Sequence, residues 1–390
     1  MQYREHRGFQ LPEVGIGCYG LSGAYGKKDI GAFKQVIRRA YALGVTFFDT
    51  AEAYGDAERI LGETAEPFRD DILIATKVGV RKGLTPDLSA EYVNSARERS
   101  LKQLGTDYID LYQVHFDDPE TQVDATVETL DKLVEKGKVQ TYEIGHLPME
   151  RAEEYFSKGN VFSMRMELSA VARDACKTVL PLCLKHHAAA IAFSTTGRGL
   201  MTGRFAENHQ FGAGDIRAVD PLFQRERFSS GMKIAEAFAN IARRHEKTSV
   251  QTAIAWVLAQ PGVLCALTGP TTISHLEENV SASGWRFPAE DLEQLAILLE
   301  QEDAWLRKKQ IFSVMQILSD PLPAEAHAAF TDLVYMIETV ILLGIVSETT
   351  LLPTFQTLFA LRDSLAGERV NADLAKIHCQ LRKLIDIPPP

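Results

Sequence analysis

Four residues in the first third of the chain are of types suited to moving a proton: Asp49, Tyr54, Lys77 and His115. Asp49 lies near the end of the apolar run "VTFFDTA", Lys77 near the end of "DILIATKVG", and His115 closes "DYIDLYQVH"; Tyr54 follows in "EAYGDAE", a stretch of loop character. A tyrosine has an ordinary pKa of about 10, too high for easy proton exchange near neutrality. A lysine cation beside it favours the phenolate, and an aspartate can hold that lysine charged and oriented. A histidine can donate to a carbonyl oxygen or fix its position. Together they make a general acid suited to protonating an alkoxide as hydride arrives at carbon. Singly, each has a plainer explanation: a turn aspartate, a solvated lysine, a satisfied structural histidine. Their shared place at the C-terminal ends of successive strands argues for the chemical one.

Eight strand-length apolar runs carry the chain forward: "EVGIGCY", "VTFFDTA", "DILIATKVG", "DYIDLYQVH", "VQTYEIGH", "FSMRMELS", "AAIAFSTT" and "GVLCALTG". Several are apolar nearly throughout, as strands covered on both faces must be. Amphipathic segments alternate with them. In "IGAFKQVIRRAYALG", Phe33, Val36, Ile37, Ala40 and Leu43 share a face and Gly44 is a natural stop. The alternation predicts an α/β fold, a (β/α)8 TIM barrel, in which catalytic side chains project from the C-terminal strand ends. A doubly wound open sheet is the competing architecture, but "GIGCYG" does not fit the glycine fingerprint that fold carries after its first strand.

The first 14 residues suit a short hairpin closing the barrel floor, and residues 201–228 form the longest loop. "FPAEDLEQLAILLEQE" reads as an extra helix with Pro288 at its start. From about residue 303 strand patterns stop and helical ones continue, which predicts a barrel over 1–302 and an all-helical C-terminal extension over 303–390. Its apolar face, with Phe330, Val334, Ile337 and Ile341, must be covered by the barrel, by sister helices or by a second copy; a homo-oligomer through this extension or a lid role is expected over full burial within one chain.

Net charge is −10 with acids and bases mixed, which argues against a nucleic-acid binder. Five scattered cysteines show no metal-ligand spacing, so no metal site is expected and reduced thiols in the cytoplasm are the plain reading. The most apolar stretch, Thr339 to Ser347, is too short to span a bilayer, and the N-terminus lacks the apolar core of a signal peptide.

The stretches "FFDTAEAYGDAERILGE", "ILIATKVG", "SLKQLGTDYIDLYQVH", "GRGLMTGRF", "GDIRAVDPLFQRERF" and "HLEENV" resemble the aldo-keto reductases, in the family's order, over residues 8–300. The resemblance implies a barrel binding NADP(H), with NAD(H) as the alternative, and reducing a small-molecule aldehyde or ketone. It implies Tyr54 as acid/base, Lys77 as the group that lowers its pKa, Asp49 as the partner of Lys77, and His115 as the residue that orients substrate. Tyr19, matching a frequent tryptophan, and Phe116 would form a substrate wall.

The cofactor positions implied by the resemblance depart from the family's usual residues at one end. Gly145 and His146 stand for a usual Ser-Asn pair, Arg165 for a glutamine, and Ser194, Thr195 and Thr196 for Ser-Pro-Leu. His146 and Arg165 could donate to the nicotinamide amide instead, or His146 could cap a helix or fill the rim. Gly199 and Leu200 belong to a turn suited to pyrophosphate, where Arg198 would add charge, and Gly269, Thr271, Thr272, His275, Glu278 and Asn279 fall at the adenosine end. His275 stands where members preferring NADP carry Arg, Lys or Gln. Two other functions stay open: a redox-neutral lyase, dehydratase or epimerase on the same barrel, and a cofactor-sensing interaction protein.

Overall fold

The computed structural model describes residues 1–26, 28–81, 85–206, 209–212, 215–362, 365 and 370–385. Parallel strands β1 Val14–Gly17, β2 Phe47–Asp49, β3 Leu73–Val78, β4 Ile109–Val114, β5 Val139–Gly145, β6 Ser163–Glu167, β7 Ala189–Phe193 and β8 Val263–Thr268 close into a barrel. All eight expected runs form these strands. β4 and β8 are buried along their whole length, one face against the barrel interior and the other against helices.

Helices follow the strands because local sequence starts and stops them. Asp29 caps Ile30–Ala42 by accepting from the Ala32 amide, and Phe33, Val36, Ile37 and Ala40 of that helix are buried. Ser89 caps Ala90–Leu104 in the same way, and Gly105 ends it in the left-handed conformation. The expected N-terminal hairpin forms from Tyr3–His6 and Phe9–Pro12. Its Leu11 joins Phe47, Leu111, Phe162, Ile191 and Cys265 in an apolar cluster. That layer fills the barrel interior, so polar groups gather at one end.

By internal contacts the chain divides into two compact units: Met1–Arg204 with Ala235–Leu292, and Phe205–Ile234 with Glu293–Pro390. The expected boundary at 302/303 falls inside one 31-residue helix, Ala289–Ser319. Sequence reading separated 287–302 from 307–320, but no Gly or Pro lies between Ala289 and Ser319, and Pro321 follows the helix.

The second unit has a core of its own. Phe330, Leu333, Val334, Ile337 and Val340 of helix Ala326–Leu342 are buried with Leu351, Leu358, Leu374 and Leu381 from Glu348–Ala360 and Val370–Leu384. Tyr335 donates to Glu226 at 2.5 Å, and Glu226 also accepts from Ser313. Phe330, Val334 and Ile337, the residues that suggested a partner surface, are thus covered within one chain, with Ile341 packed partly against them.

Candidate active site

Strand register sets a polar layer across the barrel end. Lys77 on β3 pairs with Gln113 on β4, Gln113 with Glu143 on β5, and Glu143 with Ser163 on β6. Arg165 lies two residues beyond Ser163 and therefore on the same side of β6. In the closed order β6-β7-β8-β1-β2, four steps separate β6 from β2. Arg165 and Asp49 thus face one another across the barrel axis.

Lys77 and Asp49, both buried, form the ion pair that the sequence suggests. The Lys77 Nζ donates to Asp49 Oδ1 at 2.8 Å and to the Thr50 carbonyl at 2.5 Å. The same Nζ lies 4.7 Å from the centroid of the Tyr54 ring. Tyr54 sits in the short 3-10 turn Glu52–Tyr54 after β2, half-exposed, with ring contacts to Tyr19 at 5.1 Å and to His115 at 6.0 Å. The structure therefore gathers Asp49, Tyr54, Lys77 and His115 at one barrel end.

Charge in this layer is shared more widely than the sequence suggests. Arg165 is only 2% exposed; its Nη1 lies 3.0 Å from Asp49 Oδ1, the oxygen Lys77 also holds, and its Nη2 donates to Glu143, which is fully buried. Ser163 donates to the other Glu143 oxygen at 2.8 Å. The guanidinium is thus turned into the barrel. Gly145 makes room for this: a Cβ there would lie 2.4 Å from Gln113 Nε2 and 3.0 Å from the Arg165 Cβ.

Burial sets the protonation states. Crowding by the surrounding protein pushes the Tyr54 phenol well above its ordinary value although the residue keeps some open surface, with the Asp49 carboxylate adding to the effect and Arg165 opposing it. Burial likewise lowers Lys77, an effect Asp49 resists and Arg165 reinforces. His115 is held well below the usual imidazole range by burial, then by the charge of Lys77. It is neutral at pH 7 and can donate one hydrogen bond without bringing a charge.

The mouth is ringed by aromatic groups. Tyr19 and Phe116 are partly exposed there, and Phe116 stacks on His146 at 4.9 Å, with the planes 22° apart. His146, in the left-handed conformation with φ 50°, also approaches His115 at 5.9 Å and Phe193 at 5.3 Å. It is crowded yet keeps surface open to solvent, as a side chain on a concave wall does. That crowding, then Lys77 and Arg165, lower its pKa to about 4. His146 thus stands in the aromatic wall with Phe116, a neighbour its sequence position did not foretell.

The loops after β7 and β8 are built differently. Ser194, Gly197, Arg198 and Gly199 all have positive φ, a tight turn that leads into the 3-10 segment Leu200–Thr202. Thr195 is buried and donates to the Leu267 carbonyl at 3.1 Å, while the Thr196 carbonyl accepts from Gly199 and Met201. The Leu200 side chain is fully buried, so only its backbone is available to a ligand. Beyond the exposed Gly269, Thr272 caps helix Ile273–Val280 by accepting from the His275 amide at 3.2 Å. Thr271 lies 3.5 Å from His275 Nδ1; Glu278 is half-buried, and Asn279 is buried.

Arg204 is the residue that sequence reading missed here. Its Nη1 lies 2.9 Å from His275 Nε2, which brings an exposed guanidinium to the start of this helix. The signal was the missing Arg or Lys at position 275: a cation absent from one loop can come from another.

Comparison with known proteins settles the family. The aldo/keto reductase family model matches residues 13–300. The chain belongs to the aldo/keto reductase family. A probable aldo-keto reductase 1 of Glycine max is 32% identical over 299 residues, 74% of this chain and 86% of that one. The aldo-keto reductase YhdN of Bacillus subtilis (strain 168) is 30% identical over 304 residues, 75% of this chain and 91% of its own. The aldo-keto reductase yakc [NADP(+)] of Schizosaccharomyces pombe is 29% identical over 70% of this chain and 84% of its own. Among solved structures, the glycerol dehydrogenase AKR11B4 from Gluconobacter oxydans superposes with a TM-score of 0.71 at 25% identity, covering 77% of this chain and 96% of that one.

This aldo-keto reductase is an enzyme of the NAD(P)-dependent oxidoreductase type. The family's nicotinamide cofactors fit its two ends unequally. After β8, Arg204, His275 and an exposed capped helix start could hold a phosphate group. At the barrel axis, Gly145 has no side chain to offer and the Arg165 guanidinium is turned toward Asp49 and Glu143. His146 and the Ser194 turn remain to meet an amide there. The helices after residue 300 lie beyond the family match.

Proposed function

We propose that the protein reduces an aldehyde or ketone to the alcohol, with Tyr54 as proton donor. The observation that carries this reading is the convergence of Tyr54 with the Lys77–Asp49 pair, the Lys77 Nζ lying 4.7 Å from the phenol ring and 2.8 Å from Asp49. A bound nicotinamide cofactor supplies the hydride. Neutral His115 donates a hydrogen bond that fixes the carbonyl oxygen toward Tyr54. The phenol, held protonated by burial, hands its proton to the oxygen as negative charge develops there. Lys77 stabilises the phenolate left behind, and Asp49 keeps that ammonium in place. Tyr19, Phe116 and His146 form a wall suited to a neutral, flat or apolar carbonyl compound. Arg204 and His275 favour NADP(H) over NAD(H), because only the former carries an extra phosphate for the guanidinium.

A redox-neutral reaction of the same acid/base group is the second reading. Gly145 and the inward-turned Arg165 favour it, since neither position offers a side chain to the nicotinamide amide. NADPH fluorescence titration followed by an aldehyde panel separates the two. Saturable binding with carbonyl-dependent oxidation is the result expected here. Absence of binding, with turnover of a hydroxylated substrate, would transfer the assignment to the second reading.

A further inference from the structure

We propose that Arg165 is a positioning residue: it shares the Asp49 carboxylate with Lys77 across the barrel axis and so sets the charge balance around Tyr54. The proposal rests on the catalytic reading above for its meaning in turnover, but its geometry is independent of that reading.

The arrangement contains two cations and two anions. Asp49 Oδ1 takes Lys77 Nζ at 2.8 Å and lies 3.0 Å from Arg165 Nη1, so one oxygen serves both. Glu143 holds the other arm of the guanidinium and is itself fixed by Ser163. A planar, forked guanidinium spans two carboxylates by turning a different nitrogen to each, Nη1 to Asp49 and Nη2 to Glu143. Arg165 Nε and Nη1 make no well-directed hydrogen bond, and neither do Gln113 Oε1 and Nε2. The guanidinium is therefore held toward Asp49 by charge more than by directed bonds.

The surrounding sequence fits around this arginine. Position 145 must lack a Cβ for Gln113 and Arg165 to stand where they do. Glu143 alternates in phase with Gly145, so both face the interior, and it supplies the charge that makes a buried arginine tolerable. Gly145, Glu143 and Arg165 are thus coupled through packing and charge.

The groups facing the site divide in sign, and Arg165 stands against the others at both Tyr54 and Lys77. Asp49, Tyr19, Cys18 and Arg165 act on Tyr54, and of these only Arg165 favours the phenolate. Asp49, Arg165 and Glu143 act on Lys77, with Arg165 weighing against the ammonium more than Glu143 supports it. Cys265 and the two carboxylates face Arg165, while His115 and His146 both feel its charge, with Arg198 adding to it at His146. Arg165 thus makes the phenol easier to ionise and loosens the ammonium's hold on its proton.

The test is Arg165→Gln combined with Glu143→Gln, which removes a cation and an anion together. Tyr54 ionisation is read in the cofactor-free protein as the near-ultraviolet difference from a Tyr54→Phe partner. The expected result is an upward shift of about one pH unit, tenfold in the ionisation constant. The alkaline limb of the pH–rate profile should move with it, and NADPH affinity should change less than about threefold, roughly half the tenfold step on a logarithmic scale. An unmoved ionisation together with NADPH binding weakened tenfold or more would overturn the proposal and return Arg165 to the cofactor. If circular dichroism shows the double variant unfolded, Arg165→Lys replaces it, keeping the charge but not the span. A smaller upward shift then supports the proposal, and no shift overturns it. Failure of the catalytic reading is seen separately, as unchanged turnover in Tyr54→Phe.

Discussion

The barrel axis and the loop end after β8 would serve one cofactor in the proposed reaction but are built on different terms. At the axis, Asp49, Lys77, Glu143 and Arg165 are buried and mutually dependent, so a change at one position demands changes at others. At the loop end, Thr272, His275 and Arg204 are exposed or half-exposed and contact one another from separate loops. A departure from the family pattern therefore propagates through packing in the first region, while in the second it is made good by one neighbouring cation. A buried charge altered singly leaves its partner short of counter-charge, whereas exposed ones are screened by water.

The largest expected effect tests the coupling at the axis. Lys77→Met removes one of two cations from Asp49. Activity should fall by about 100-fold or more. Stability should fall by less than the roughly 3–5 kcal/mol typical of breaking an isolated buried pair, because Arg165 remains. Urea unfolding measures the second part, and a loss above that range would mean Arg165 does not share the load.

Next, Gly145→Ser should cost about 1–3 kcal/mol, as overpacking does, because its Cβ meets Gln113 at 2.4 Å. A neutral result in chemical denaturation would show that Gln113 turns aside freely and that the axis is less tightly coupled than described.

Arg204→Ala sharpens the other half of the comparison. It should weaken NADPH binding about tenfold, in line with loss of one charge-assisted hydrogen bond, and leave NADH binding nearly unchanged. Stability should hardly move, since the side chain is exposed. Equal weakening of both cofactors would remove the phosphate assignment.

The smallest effect is in acid. His115 and His146 have folded-state pKa values below 6.5, so the unfolded chain binds more protons than the folded one below that pH. Both contributions are complete above about pH 6.5; that of His146 is lost as pH falls toward about 4, and that of His115 is lost in the same direction. Urea midpoints at pH 7 and pH 5 should differ less in His146→Asn than in the unaltered protein.

Strand order and the four candidate residues were legible because the barrel strands are short apolar runs, and β2, β3 and β4 carry Asp49, Lys77 and His115 at or next to their C-terminal ends. Lys77 and Asp49 come from neighbouring strands, and their pairing follows from register alone. Arg165 could be matched to a family position but not aimed. Its partner Asp49 lies four strands away around a closed ring, a relation no local pattern reports. Glu143 carried a readable signal, an acid in phase with Gly145 on the buried second half of its strand, which becomes meaningful only once the ring is closed. Arg204 was hidden for a similar reason, since its contact with His275 joins residues 71 positions apart in sequence. The helix Ala289–Ser319 ran on past its expected end because a change in pattern is not a helix stop unless a breaker residue accompanies it.

In the proposed reaction the Tyr54 phenol gives its proton to a carbonyl oxygen beside the Lys77–Asp49 pair. Steady-state NADPH oxidation with an aldehyde, compared between the unaltered protein and Tyr54→Phe, tests it most directly when cofactor affinity is measured in parallel. The account predicts a fall of about 10²- to 10⁴-fold in kcat/KM with cofactor affinity preserved. Turnover undiminished in the phenylalanine variant would contradict it.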